Sequence, residues 1–264
     1  MYAFEYRKAA SLDDAQKAFE SADDGTYMAG GMTLIPTLKQ RLASPSDVID
    51  LDGIDDLRGI TVDGDNVIIG AMTCHADVAA SADVQKAIPA LAHLASLIGD
   101  PQVRNRGTLG GSIANNDPAA DYPGALVGLG ATVHTTNKTV SADEFFTGMF
   151  ETTLDEGELV TKVSFPIPEK AAYQKFPNPA SRYSVVGAFV AKTKDGIRVA
   201  ITGAGPTVFR VPEMEQALTA AFTADAIADI SVPADDLNAD LHASAEYRAH
   251  LIGVMAKRAV ADCS

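Results

Sequence analysis

The sequence predicts an α+β protein made of more than one unit, and three observations support this prediction. In residues 1–55 short apolar strands alternate with amphipathic helices, which is typical of a βαβ unit. Residues 56–168 mix hairpin patterns with helices, and a proline-rich segment over 166–179 closes this part. From about Tyr173 a long hairpin pattern precedes two helical patterns. We therefore expect three units, with boundaries at 1–55, 56–168 and 169–264.

The first unit is expected to run strand, helix, strand, helix and strand. Ser11 is placed to cap the first helix. Gly30 and Gly31 form a turn between the second strand and the second helix, which presents backbone N–H groups to an anionic ligand. Their spacing matches neither GxGxxG nor GxxxxGK followed by Ser or Thr, so neither a Rossmann nor a P-loop site fits. The five elements are expected over 2–6, 11–20, 26–29, 33–42 and 47–51.

The other two units are predicted from hairpin turns and helix caps. Gly64-Asp65 and Asp195-Gly196 mark two hairpins, Thr73 is a candidate helix cap, and Gly99 a helix end. In the second unit we expect a hairpin over 57–71, helices over 73–81, 89–98, 125–129 and 142–146, and strands over 132–136 and 159–165. In the third we expect strands over 185–192 and 196–203 and helices over 213–230 and 244–262.

Composition excludes several classes of protein. The net charge is −14, from 35 acidic and 21 basic residues, so nucleic acid is not an expected partner. The acidic excess leaves two interpretations open, a well-solvated surface or a docking face for a partner. The two cysteines make neither a disulfide framework nor a metal quartet. We expect a cytoplasmic protein, because the N-terminus lacks an apolar signal segment and no apolar run approaches the length of a membrane span.

The most informative segment is GTLGGSIANNDPAADYP, over residues 107–123. It holds paired glycines, small hydroxyl residues and polar side chains, and almost nothing large enough to fill a core. Such a segment suits a backbone that passes close to a flat polar ligand. A second segment of this kind, AGGMTLIP over 29–36, also lies beside a predicted helix. Together the two loops predict one extended cofactor held between two lobes.

No side-chain motif in the sequence predicts a catalytic role. None of the five histidines lies in an HExxH motif, and His75 is open as either a ligand contact or part of a polar turn. Asp117 and Asp121 leave three interpretations open: a catalytic acid pair, a pair at a helix N-terminus, or a contact to sugar or polyol hydroxyls. We favour Asp121 for the hydroxyl contact. The chain offers a cradle, which is typical of proteins whose cofactor carries the chemistry.

With both loops in view, the chain resembles the FAD-binding medium subunit of molybdenum hydroxylases, especially that of the carbon monoxide dehydrogenase type. The segments that carry the resemblance are AGGMTLIP, IGAMTCHADV, GDPQVRNRGTLGGSIANNDPAADYP, ADEFFTGMFETTLDEGELV and SAEYRAHLIGVMAKRA. It implies a two-lobed FAD-binding fold of the vanillyl-alcohol oxidase class. The lobes would be 1–55 and 56–168, and 169–264 would form a C-terminal domain with a three-stranded antiparallel sheet and helices.

The resemblance also implies the cofactor contacts. Asp121 would bond the polyol part of FAD, Val160 would meet the flavin ring through its backbone, and Lys175 would lie near the ring. Tyr183 is either stacked on one flavin face or packed in the seam between domains. The FAD pyrophosphate would be clasped through backbone N–H groups and hydroxyls of Ala29, Gly30, Gly31, Met32, Thr33, Leu34, Thr108, Gly110, Gly111 and Ser112. No catalytic or metal-binding residue is expected, and the FAD would be bound non-covalently.

The implied function is electron transfer. A large subunit with a molybdenum cofactor and a small iron–sulfur subunit would be the partners in a heterotrimer, since this chain has no cysteine pattern for a cluster. Gln102–Arg106 would shape the FAD site or face the iron–sulfur subunit. An external acceptor would receive the electrons. Three alternatives remain: a self-sufficient flavin oxidase, a non-redox nucleotide-binding scaffold, and a nicotinamide dehydrogenase, against which the missing GxGxxG argues.

Overall fold

The first lobe is a small parallel sheet with two helices. A computed structural model describes residues 1–263, so Ser264 of the predicted C-terminal domain lies outside the described residues. The three strands pair in parallel in the order β1-β3-β2, which confirms the predicted βαβ pattern. The elements are β1 (Glu5–Lys8), α1 (Leu12–Glu20), β2 (Gly25–Met28), α2 (Leu34–Lys39) and β3 (Asp47–Asp50).

Local signals explain where these elements begin and end. The Asp14 backbone N–H donates to Ser11 Oγ at 3.1 Å, so the predicted cap of α1 is confirmed. α2 stops at Lys39, earlier than expected, because Arg41 takes a left-handed conformation with φ +60° that no helix continues.

The second lobe is a five-stranded antiparallel sheet in the order β4-β5-β10-β6-β7, with seven helices and a small hairpin. Its strands are β4 (Ile60–Asp63), β5 (Asn66–Gly70), β6 (Thr132–Thr135), β7 (Thr139–Ser141), β8 (Phe146–Gly148), β9 (Glu151–Thr152) and β10 (Val160–Pro166). Its helices are α3 (His75–Ala80), α4 (Ala82–Ala87), α5 (Pro89–Ser96), α6 (Pro101–Arg104), α7 (Leu109–Asn115), α8 (Tyr122–Leu129) and α9 (Ala142–Phe145).

Thr73 does not cap a helix as expected. α3 begins after Cys74, and the Thr73 hydroxyl instead accepts a bond from the Gly59 backbone N–H at 3.1 Å. This hydrogen bond connects the segment before α3 to Gly59, which directly precedes β4. The sequence around Thr73 does not predict so distant a partner.

The C-terminal domain is an antiparallel sheet in the order β11-β12-β13-β14, flanked by helices. We expected three strands, and the sheet has a fourth, β14, whose two residues are too few to give a sequence pattern. The helix expected over 213–230 is also wrong, because the chain extends at Ala221 and Thr223 then caps a separate 3₁₀ turn over Ala224–Ile227. The elements are β11 (Lys170–Pro177), β12 (Ser184–Thr193), β13 (Gly196–Thr202), β14 (Phe209–Arg210), α10 (Pro212–Ala220) and α11 (Ala245–Asp262).

α8 connects the second lobe to the C-terminal domain. All eight of its residues are buried, and it packs against β12 and β13. Gly128 makes this close approach possible, since a Cβ there would lie 2.6 Å from Phe189 Cδ1. The apolar helix α8 is therefore a packing surface, and its N-terminus, with Asp121, lies at the junction of lobe and domain.

Among residues 1–263, no helix combines the length and the apolar character needed to cross a membrane. The boundaries 1–55, 56–168 and 169–264 themselves remain a prediction.

Candidate cofactor site

A cavity of about 700 Å³ lies between the two glycine loops. Its volume falls within the roughly 300–1,000 Å³ typical of ligand pockets. We call residues 29–34 the first glycine loop and residues 107–112 the second. Lys175 is not among the lining residues, whereas the other predicted contacts are: Ala29, Gly30, Gly31, Met32, Thr33, Leu34, Thr108, Gly110, Gly111, Ser112, Asp121, Val160 and Tyr183.

The first glycine loop carries free backbone donors. Gly31 has φ +72°, a left-handed conformation that turns the chain out of β2 and into α2. The five backbone N–H groups from Gly30 to Leu34 donate to no acceptor among residues 1–263. The Thr33 hydroxyl likewise has no protein partner in that range. A run of unpaired N–H groups on a cavity wall is a cradle for an anionic group.

The second glycine loop is different, because all of its amides except that of Thr108 have an acceptor within residues 1–263. Leu109 N–H donates to Thr73 O at 3.1 Å and Gly110 N–H donates to Ala71 O at 2.8 Å. Gly111 N–H donates to Thr108 Oγ1 at 3.1 Å, which makes Thr108 the cap of α7. This loop is therefore fixed against the segment after β5, and its backbone has less to offer a ligand than we expected.

The glycines of the two loops make room for each other. A Cβ on Gly30 would lie 1.9 Å from the backbone oxygen of Arg106. A Cβ on Gly111 would point at Thr108 Oγ1, at 2.9 Å, and at Ala29 Cβ, at 3.3 Å. From the sequence, these glycines are expected to let the backbone approach the ligand closely. The structure gives them a role in bringing the two loops into contact.

Asp121 is the centre of a buried polar network. Its side chain is 4% exposed, and Oδ1 accepts bonds from Tyr173 Oη at 2.6 Å and Ser184 Oγ at 2.9 Å. Lys175 Nζ lies 3.0 Å from Oδ1 and 3.1 Å from Oδ2. Because Oδ1 accepts three bonds and Oδ2 only one, Oδ2 keeps lone-pair capacity for a hydroxyl in the cavity.

Asp117 and Asp121 do not act as a pair. Asp117 Oδ1 accepts from the backbone N–H of Ala119 at 2.8 Å, which makes a local turn before α8. Burial raises the pKa of the Asp117 carboxyl. The Asp121 carboxylate is instead paired with Lys175. The two carboxyls thus have different partners and serve different local structures.

Tyr183 lies on the cavity wall next to Arg182, which takes a left-handed φ of +63°. The tyrosine is 46% exposed, and burial, assisted by the nearby carboxyls of Asp117 and Asp121, raises the pKa of its hydroxyl. Val160 begins β10, is buried, and also faces the cavity. An exposed aromatic face on a cavity wall suits the stacking of a flat ring.

His75, whose role could not be decided from the sequence, lines the cavity. It is 4% exposed, its ring lies 5.4 Å from that of Tyr122, and its Nδ1 has no partner among residues 1–263. Burial, with a smaller effect from Arg104, lowers its pKa to about 4. The ring is therefore neutral at pH 7. Its place in a polar turn after the candidate cap Thr73 was the signal in the sequence, and the structure adds that Gly107 lies beside its ring.

Phe19 and Tyr27 were not singled out at all. Their rings stack at 4.9 Å and line the cavity on the first-lobe side. They belong to a helix and a strand whose patterns explain them as core residues, so no local pattern predicts a cavity role for them.

Comparisons with known proteins define the class. Residues 2–168 match the family described as the FAD binding domain in molybdopterin dehydrogenase, and residues 171–263 match the CO dehydrogenase flavoprotein C-terminal domain. The chain therefore belongs to the FAD-binding proteins of the molybdopterin dehydrogenases, and it carries the C-terminal domain of the carbon monoxide dehydrogenase flavoproteins. This confirms the resemblance inferred from the two loops.

Individual relatives match along nearly the whole chain. The carbon monoxide dehydrogenase medium chain of Hydrogenophaga pseudoflava is 37% identical over 278 residues, covering 97% of this chain and 96% of the relative. The nicotine 6-hydroxylase medium subunit of Paenarthrobacter nicotinovorans is 34% identical and covers 98% and 97%. A solved structure of Hydrogenophaga pseudoflava carbon monoxide dehydrogenase superimposes with a TM-score of 0.89 at 37% identity, covering 98% of this chain and 96% of that one.

Proposed function

We propose that this chain is the FAD-binding, electron-transfer subunit of a molybdenum-containing hydroxylase. One observation supports this above the others: the five backbone N–H groups from Gly30 to Leu34, which have no acceptor among residues 1–263, belong to residues that line the cavity, and the second glycine loop lines it too. The pyrophosphate of FAD is an anion that such a row of donors would satisfy. The arrangement of the two lobes would be that of the vanillyl-alcohol oxidase class.

Different residues around the cavity would contact different parts of FAD. The first glycine loop, with the Thr33 hydroxyl, would hold the pyrophosphate, and Ser112 would add a hydroxyl from the second. Asp121 Oδ2 would accept from the polyol hydroxyls, because Oδ1 is already occupied by Tyr173, Ser184 and Lys175. Val160 and the exposed face of Tyr183 would contact the flavin ring. His75, neutral and buried, would keep charge away from this wall.

The chain itself needs partners for the rest of the reaction. No group of three or more His, Cys, Asp or Glu side chains in residues 1–263 is placed to hold a metal ion. The relatives include proteins named as medium chains or medium subunits, so we propose a molybdenum-cofactor large subunit and an iron–sulfur small subunit as partners. When bound, FAD would take electrons from the iron–sulfur partner and pass them to an external acceptor. Both cysteines are free thiols, which favours a reducing, cytoplasmic location.

Purification of the full chain with added FAD tests this proposal. We expect a yellow protein with about one FAD per chain, which acid or heat denaturation releases into solution, because the contacts are hydrogen bonds and packing. A colourless protein with affinity for another nucleotide would contradict the proposal. Flavin that stays on the denatured polypeptide would refute non-covalent binding. Reduction of the isolated chain by small alcohols would favour a self-sufficient oxidase.

A further inference from the structure

Lys175 joins three separate parts of the chain through one buried amino group. Its side chain is 4% exposed and lies on β11, in the C-terminal domain. Nζ donates to the Asp121 carboxylate at 3.0 Å, to Leu97 O at 3.0 Å and to Arg182 O at 2.9 Å. An ammonium has three donors, so these acceptors account for all of them.

The three acceptors belong to the parts of the cavity wall that the proposed function uses. Asp121 is the polyol contact, and Arg182 directly precedes Tyr183, the proposed ring contact. Leu97 follows α5, where a positive charge also favours the C-terminal end of the helix. Lys175 is thus bonded to both cofactor-facing sites while its own side chain is kept off the cavity wall.

The loop before Tyr183 requires such support. Arg182 is a non-glycine residue at φ +63°, a conformation that its Cβ disfavours. At the other end of the loop, Asn178 Oδ1 accepts from the backbone N–H groups of Ala180 and Ser181, and Asn178 N–H donates to Tyr183 O. These bonds close the loop on itself. The Lys175 and Arg182 side chains tie it to the second lobe, where Arg182 donates to Gly99 O at 3.2 Å.

We propose that Lys175 is a positioning residue that sets the Asp121 carboxylate and the Tyr183 ring on the FAD cavity at the same time. This rests on the proposed function. Lys175 would act through Asp121 and Arg182, the residue before Tyr183. It would not act as a free cation beside the flavin, because all three protons of its amino group are already donated to protein acceptors.

Flavin fluorescence measures the position of Tyr183, because a tyrosine stacked on the ring quenches the emission of bound FAD. We expect Lys175→Met to weaken FAD binding by roughly tenfold to a hundredfold, the effect of losing hydrogen bonds to a charged group. The fluorescence per bound FAD should rise towards that of Tyr183→Ala. In the Tyr183→Ala background, adding Lys175→Met should give no further rise.

The controls separate positioning from general damage. Lys192→Met removes an exposed lysine of the same sheet, paired with Glu169, and should change neither readout. If Lys175→Met does not fold because it leaves the Asp121 carboxylate unpaired, the fluorescence per bound FAD is compared between Asp121→Asn and the double variant Asp121→Asn/Lys175→Met. This comparison tests the same effect of Lys175. Unchanged fluorescence per bound FAD, or a rise that persists without Tyr183, overturns the inference. Failure of the wild-type chain to bind FAD overturns the proposed function instead.

Discussion

The neutral, buried His75 makes a specific prediction about stability at low pH. Burial lowers the pKa of this imidazole from 6.5 to about 4 in the folded chain. Between these two values the unfolded chain binds a proton that the folded chain does not. Stability from His75 is therefore complete above pH 6.5 and is lost as the pH falls towards 4.

The size of the effect follows from the width of that window. A shift from 6.5 to about 4 corresponds to about 3 kcal/mol at about 1.4 kcal/mol per unit. Most of this loss should be present by pH 4.5. The side chain is 4% exposed, so solvent screening is slight.

Urea unfolding of the FAD-free chain at pH 7.5 and 4.5 measures the prediction. Titrating carboxyls change the free energy of unfolding equally in the wild type and in a His75 variant. The comparison is therefore between the wild type and His75→Gln, which keeps a neutral polar side chain. We expect the wild type to lose about 2–3 kcal/mol more than His75→Gln on acidification. Equal losses in the two proteins would refute the claim that His75 is buried as a neutral ring.

Three further predictions concern glycines and a buried arginine. Gly111→Val should sharply lower the ratio of flavin to protein absorbance, because its side chain would push Thr108 and Ala29 apart; an unchanged ratio would contradict the contact between the loops. Gly128→Ala should cost about 1–3 kcal/mol in urea unfolding through its clash with Phe189, while the FAD affinity of the folded fraction stays at the wild-type value. Arg248→Met should destabilise the chain by about 1–3 kcal/mol, because it removes the buried donor to the backbone oxygens of Val185 and Gly203; an unchanged free energy of unfolding would contradict that role.

Sequence reasoning succeeded where a signal is local. Ser11 caps α1 as predicted, the helix expected over 244–262 is present as α11, and both predicted hairpin turns are present. It failed where a distant contact decides. The predicted helix over 213–230 breaks at Ala221, and the fourth strand β14 exists only because it pairs with β13.

The same distinction holds in the site. Glycine content located both loops, but which amides are free depends on acceptors such as Ala71 O, about forty positions before Gly110 in the chain. The partners of Lys175 come from segments that no spacing rule connects, so its network was invisible in the sequence. Burial of His75 depends on Gly107 and Tyr122, which meet it only in the folded chain.

In the proposed function, the amides of the first glycine loop that have no acceptor among residues 1–263 bind the pyrophosphate of FAD. Gly31 and Gly64 both have positive φ, at +72° and +55°, so an alanine at either site meets similar backbone strain. Only Gly31 lies in the loop, where a Cβ would also lie 2.6 Å from the end of the Ile35 side chain, whereas Gly64 is at the turn between β4 and β5 with open space around it.

Calorimetric titration of Gly31→Ala, Gly64→Ala and wild type with FAD and with riboflavin, which lacks the pyrophosphate, tests this claim most directly. We predict that the wild type binds FAD far more tightly than riboflavin. We also predict that Gly31→Ala removes most of that difference, while Gly64→Ala leaves it intact. Equal affinity for FAD and riboflavin in the wild type, or equal effects of the two alanines, would contradict the account.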